Sequence, residues 1–263
     1  MRVLLLGVLC ASVLVAQPAR APLPDEKGIV AAAEKALVAD PKNMDLVLAL
    51  GKAQADVWRF EDAIATYSKG LEENPDDARL WLNRGHRHIT LRHFDQALRD
   101  LDNAKLFEPN MTEAWYHIGL VYYFRGDFAR AFPAWQRCRE LSTSDDSVAS
   151  SSDWLYMTLR RLGREKEAAA VLERIKPGMK ITGSPYYFQR LLFYKGLKKE
   201  AEIFDPAKAG DLEFATVGYG LGNWYLYNGN PAKGKAIFER IVSGKYWPAF
   251  GFIAAEAELA RMK

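Results

Sequence analysis

Three glycines, Gly51, Gly85 and Gly119, stand 34 residues apart, and Ala63, Ala97 and Ala131 keep the same interval. Prolines Pro41, Pro75 and Pro109 fall one period apart at the seams between units. A period of this size belongs to stacked helix-turn-helix units, each unable to bury its apolar face alone. Between Met44 and Ser142 the chain is therefore expected to gain its core by stacking one helix pair on the next.

Each unit alternates bulk and its absence. Trp81 and Trp115 are followed four residues later by Gly85 and Gly119, while Ala63, Ala97 and Ala131 are followed four residues later by Tyr67, Leu101 and Trp135. Residues at i and i+4 share a helix face, so the glycines let two helices approach and the large side chains fill the space beside them. The third unit supplies Trp115, Gly119, Tyr122 and Ala131, with Ile118 and Trp135 as bulky equivalents and Cys138 as the later small residue. This pattern resembles the tetratricopeptide repeat, whose motif asks for Trp, Leu, Gly, Tyr, Ala, Phe, Ala and Pro at fixed places.

Beyond Ser142 the motif decays, but Gly126, Gly163, Gly196 and Gly229 precede Ala131, Ala168, Ala201 and Gly234 by five residues. A glycine at that place suits the end of a unit's first helix. The resemblance thus implies an all-α, right-handed superhelical α-solenoid of about six repeats plus terminal capping helices. Three strong repeats are expected over 44–142, a polar serine-rich loop over 143–153 and three degenerate repeats over 154–243. A linker and N-terminal capping helix fill 22–43, and a C-terminal capping helix fills 244–263.

Residues 1–21 show Arg2 ahead of an apolar run from Val3 to Ala16, followed by small residues. That is the layout of a secretory signal peptide, with cleavage expected between Ala16 and Ala21. The run is shorter than the roughly 20 residues that span a bilayer, so no membrane span is expected after cleavage. With Cys10 removed only Cys138 remains, and an exported chain with one cysteine has no internal disulfide. The expected location is secreted or periplasmic.

A formal net charge of +3, without a lysine and arginine run, gives no reason to expect nucleic acid. No nucleophile motif, phosphate loop or paired-cysteine spacing is present. Four histidines do not supply the three or more convergent ligands that a metal site needs. The expectation is no cofactor, no metal and no catalysis.

Binding remains, and the resemblance places it on the concave face lined by the first helix of each unit. The implied groove residues include Lys52, Arg79, His86, Tyr116, Leu120, Tyr123 and Phe124, with Tyr186 among those of the later units. Asn83 alone matches the carboxylate clamp of chaperone-tail receptors, whose other places here hold Leu48, Lys52, Glu113 and His117. A ligand is expected across the middle of the groove, on Tyr116, Tyr123 and Phe124 with Arg79 and His86 beside it. Its expected nature is a protein or peptide segment, bound by an adaptor of the bacterial cell envelope; the alternative is a glycan or other small ligand on an aromatic-lined receptor.

Overall fold

The structure is a computed structural model that describes residues 20–183 and 185–263. The expected signal segment lies outside the described residues except for Arg20 and Ala21. All regular structure among the described residues is helical. Helix α1 (Ile29–Ala39) packs on α2 (Met44–Asp56), which pairs with α3 (Phe60–Glu73). The second and third units are α4 (Ala78–Thr90) with α5 (Phe94–Phe107), and α6 (Thr112–Phe124) with α7 (Phe128–Leu141).

The expected interlock of bulk and glycine is what holds each pair. A Cβ on Gly51 would lie 2.3 Å from the Tyr67 ring, and one on Gly119 would lie 2.5 Å from the Trp135 ring. Gly85 sits more loosely, 3.1 Å from Leu101. The seam prolines also act directly: Pro75 and Pro109 present their carbonyls to the indole N–H groups of Trp81 and Trp115, at 2.7 and 2.9 Å. Each tryptophan thereby ties the start of its unit to the end of the one before.

The turn glycines behave as the sequence implies. Gly126, Gly163, Gly196 and Gly229 have φ of 75°, 71°, 75° and 83°, a left-handed conformation that costs an L-residue roughly 1–2 kcal/mol. In the first two units the equivalent residues are Trp58 and Arg92, with φ of 61° and 63°. Both carry side chains that reach the far end of the chain, as described below. Contacts that a glycine could not make are thus present to offset the backbone strain.

The fourth unit is α8 (Asp145–Arg161) with α9 (Glu165–Glu173). Residues 145–153, expected in the polar loop, instead form the opening turns of α8. Ser144 and Ser147 make a reciprocal capping box, with Ser147 N–H donating to Ser144 Oγ at 3.1 Å. Serine competes with helix in the interior but starts one well. Ser151, Ser152 and Asp153 are then buried.

The fifth unit is the most reduced: α10 (Tyr186–Tyr194) is followed by one turn, α11 (Glu200–Ile203). Pro206 disfavours helix at Asp205. Next, α12 (Asp211–Glu213) runs through a π-helical segment, Phe214–Gly218, into α13 (Tyr219–Tyr227), which pairs with α14 (Pro231–Val242). Here the interlock returns, since a Cβ on Gly222 would lie 2.5 Å from the Phe238 ring. A buried ion pair braces this irregular half. Arg190 Nε donates to Asp153 Oδ1 at 3.0 Å, Nη2 donates to Oδ2, and Nη1 donates to the Thr216 carbonyl at 2.6 Å.

Helix α15 (Phe250–Arg261) was expected to cap the end of the stack. It also returns along the inner face, onto α6, α13 and the π segment. Gly251 permits this approach, because a Cβ there would stand 2.0 Å from the Ala215 carbonyl oxygen.

Two stability tests follow from these contacts. Gly119→Ala should destabilise by about 1–3 kcal/mol through overpacking against Trp135, and Gly85→Ala by less, as read by urea denaturation. Asp153→Ala should cost about 3–5 kcal/mol by leaving a buried guanidinium unpaired. Adding Arg190→Met to Asp153→Ala should recover most of that loss.

Candidate functional site

Residues 247–261 cover much of the inner face of the first three units. Trp247 packs edge-on against Phe60 and Trp58, with ring centroids 5.3 and 5.9 Å away. Arg92 stands over the Trp247 ring, donates to its carbonyl at 3.0 Å and pairs with Glu256 at 2.6 Å. Arg261 donates to the Phe124 carbonyl at 2.8 Å, and buried Glu258 pairs with Arg161 at 2.6 Å. Phe250 lies against His86 and His117, 5.3 and 5.8 Å between centroids.

Three of the expected groove residues are therefore interior. Leu120 and Tyr123 are 0% exposed and Phe124 is 2% exposed. Tyr123 Oη accepts from Asn223 Nδ2 at 2.9 Å and bonds Tyr219 Oη at 3.1 Å. Burial pushes the Tyr123 phenol up to about 12. Phe250 of the chain end lies 6.3 Å from the Phe124 ring, while Tyr219 and Asn223 close over Tyr123. Burying Trp247, Phe252 and Ile253, each 3% exposed or less, is worth roughly 1.5–3 kcal/mol per side chain. With that end in place, Leu120, Tyr123 and Phe124 are core.

The other expected residues separate. Arg79 is held by Asp45 at 2.6 Å and Asp77 at 2.7 Å, hydrogen bonds that raise its pKa. It is not in contact with the middle of the groove as expected. Lys52 pairs with Asp56 at 2.6 Å, an exposed pair on α2, and Asn83 Nδ2 donates to the Arg79 carbonyl at 2.8 Å. His86 and Tyr116 do come together: His86 lies tilted against His117 with ring centroids 4.5 Å apart, and Tyr116 lies edge-on beside His117 at 5.6 Å. Tyr116 Oη accepts from Trp154 Nε1 at 2.9 Å and bonds Tyr187 Oη at 3.2 Å.

The inner face holds an open cleft of about 270 Å³. His86, Tyr186 and Tyr187 form one side, Leu212 and Thr216 a second, and residues 248–251 the third. Its lining carries no carboxylate, lysine or arginine side chain. Burial, reinforced by Arg87 and His117, depresses His86 well below the ordinary histidine range, so its ring is neutral at pH 7. The Tyr186 hydroxyl makes no hydrogen bond among the described residues and is available to a ligand. Such a surface accepts an uncharged apolar or aromatic group. His86 and Tyr186 belong to the expected set; Tyr187, Pro248 and Phe250 do not, and the last two reach His86 only through the return of the chain end.

The neighbouring His117 is buried, with Nδ1 donating to the Glu113 carbonyl at 2.7 Å and Nε2 without a partner. Burial lowers its pKa to about 4. The unfolded chain takes up this proton near pH 6.5, before the folded state does. This group's contribution is therefore whole above about pH 6.5 and lost as pH falls toward 4, on the order of 3 kcal/mol in total. The loss in wild type relative to His117→Asn, measured by urea denaturation at pH 7, 5.5 and 4.5, should follow that window.

Stacked antiparallel helix pairs with a closely lined inner face define the class as an α-solenoid repeat scaffold. The tetratricopeptide repeat profile matches residues 48–86 and 82–137, and over this stretch the chain is similar to the tetratricopeptide repeat family. It is 26% identical over 113 residues to the small glutamine-rich tetratricopeptide repeat-containing protein 2 of Saccharomyces cerevisiae, covering 43% of this chain and 32% of that protein. It is also 26% identical over 97 residues to the Hsp70-Hsp90 organizing protein of Triticum aestivum, covering 37% of this chain and 17% of that protein. The chain thus matches a third or less of the length of either relative.

Among solved structures, a tetratricopeptide repeat protein from Parabacteroides merdae aligns with a TM-score of 0.54 at 16% identity, over 89% of this chain and 91% of that one. YrrB, described as a tetratricopeptide repeat protein with an unusual peptide-binding site, aligns with a TM-score of 0.50 at 18% identity, over 88% and 99%. At these identities the likeness concerns the fold.

Proposed function

We propose that this protein is a non-enzymatic adaptor of the bacterial cell envelope that holds a peptide or protein segment in the cleft between His86, Tyr186, Tyr187 and Phe250. The observation that carries this reading is the cleft itself, uncharged and aromatic, on the inner face of a repeat scaffold. Its size favours a peptide over the glycan alternative. Small-molecule sites usually enclose about 300–1,000 Å³, whereas about 270 Å³ accommodates an anchoring side chain or two. A partner contributing an aromatic, proline or aliphatic side chain would stack on the tyrosines, and the Tyr186 hydroxyl would bond its backbone. The apolar run from Val3 to Ala16 behind Arg2 supports export.

Affinity capture from a periplasmic extract should return a stoichiometric protein partner, whereas retention on envelope polysaccharide would support the glycan reading. With that partner in hand, Tyr186→Ala should weaken binding by about 30-fold, the loss expected of a desolvated aromatic anchor worth about 2 kcal/mol. Phe124→Ala should instead lower the melting temperature. Unchanged affinity in both Tyr186→Ala and Tyr187→Ala would remove the cleft as the binding site.

A further inference from the structure

A second opening lies away from the inner face. It is a cleft of about 420 Å³ between the second helices of the third and fourth units, α7 and α9, with α8 as its floor. Two helical stripes face each other across it. Helix α7 presents Phe132, Gln136, Arg139 and Glu140, and residues 167–174 present Glu167, Ala170, Val171 and Arg174. Both sets have the spacing that places side chains on one helix face. The floor is Leu155 and Leu159, which are 6% and 2% exposed. At 9 residues against 14 for α7, α9 is a short helix, and Ala170 adds little bulk at the middle of the opening.

The two arginines and two glutamates that line this cleft are not paired with one another. Glu140 is taken by Arg137 at 3.1 Å and Glu167 by Arg164 at 2.5 Å. Neither arginine of those pairs lines the cleft. Arg139 and Arg174, which do line it, have no carboxylate within ion-pair distance among the described residues. Arg139 Nε donates to Ser152 Oγ at 3.0 Å, which orients the side chain while both terminal nitrogens stay without an acceptor. Arg174, at the C-cap of α9, makes no side-chain hydrogen bond among the described residues. The two guanidinium groups are near enough for Arg174 to add to the burial effect that lowers the Arg139 pKa.

We propose that this outer cleft is a second binding site, specific for an acidic peptide segment in which a carboxylate side chain is flanked by apolar residues. The carboxylate bridges Arg139 and Arg174, whose planar N–H groups suit bidentate pairing. Its apolar neighbours cover Leu155, Leu159 and Val171. Charge complementarity selects this occupant: an apolar segment alone would leave two guanidinium groups without a counter-charge, and a basic one would find both lining glutamates already paired. The scaffold then engages partners on both faces, through an uncharged anchor inside and an acidic one outside.

The test uses a fluorescein-labelled Leu-Glu-Leu-Glu-Leu peptide and its glutamine counterpart, followed by fluorescence anisotropy on the full chain. The glutamate peptide should bind at least about tenfold more tightly, with affinity falling as salt rises. Arg139→Gln and Arg174→Gln should each weaken it about tenfold. Tyr186→Ala on the inner face and Lys35→Gln on α1 should leave it unchanged. Arg174 is exposed, so its substitution tests binding without threatening the fold. Equal affinity for the two peptides, no binding below about 1 mM, or full affinity in Arg174→Gln would each overturn the proposal. Because Tyr186 and Arg174 lie in separate clefts, failure at one leaves the other standing.

Discussion

The stack depends on large side chains lodged where a neighbouring helix has none. Tyr67 over Gly51, Trp135 over Gly119 and Phe238 over Gly222 are three instances of one device. An aromatic ring buries much apolar area, and the missing Cβ lets the helices close onto it without a void. The arrangement reappears in the sixth unit although most of the surrounding motif has changed. The fourth and fifth units, with Tyr156 and Gln189 at the glycine's place, do without it.

The second organising constraint is the return of the chain end. Trp58 and Arg92 occupy turns that the later units give to glycine, and both meet the segment that follows Tyr246. Their strained backbone is intelligible only through those distant contacts. The same return covers Phe124, while Tyr219 and Asn223 close over Tyr123, and the open cleft lies instead beside Tyr186 and Tyr187. Which part of the inner face stays open is thus set by what the chain itself covers.

Periodicity made the helix pairs legible, including the left-handed turns at Gly163, Gly196 and Gly229, because those features are local and repeat. The serine-rich start of α8 was misread as loop, since polarity alone does not distinguish a loop from a well-capped helix. Of the cleft, His86 and Tyr186 could be found by repeat position. Pro248 and Phe250 could not, because nothing in the sequence around Phe250 records that it will meet a histidine 164 positions earlier. Burial of Tyr123 was hidden for the same reason: its partners Tyr219 and Asn223 lie 96 and 100 residues away.

Repeat proteins are usually quasi-one-dimensional, each unit touching only its neighbours. Here the Arg92 to Glu256 pair spans 164 residues and the Arg261 to Phe124 bond spans 137. Such separations raise contact order, and loop-closure entropy must be met before these contacts form. The array behaves as a closed loop rather than an open ladder, so units cannot be added or removed freely at its ends. During synthesis the first three pairs emerge with their inner apolar face uncovered, and they stay so until the last helix has been made. The time between those two events is a window of exposure for the nascent chain, set by the length of the intervening units.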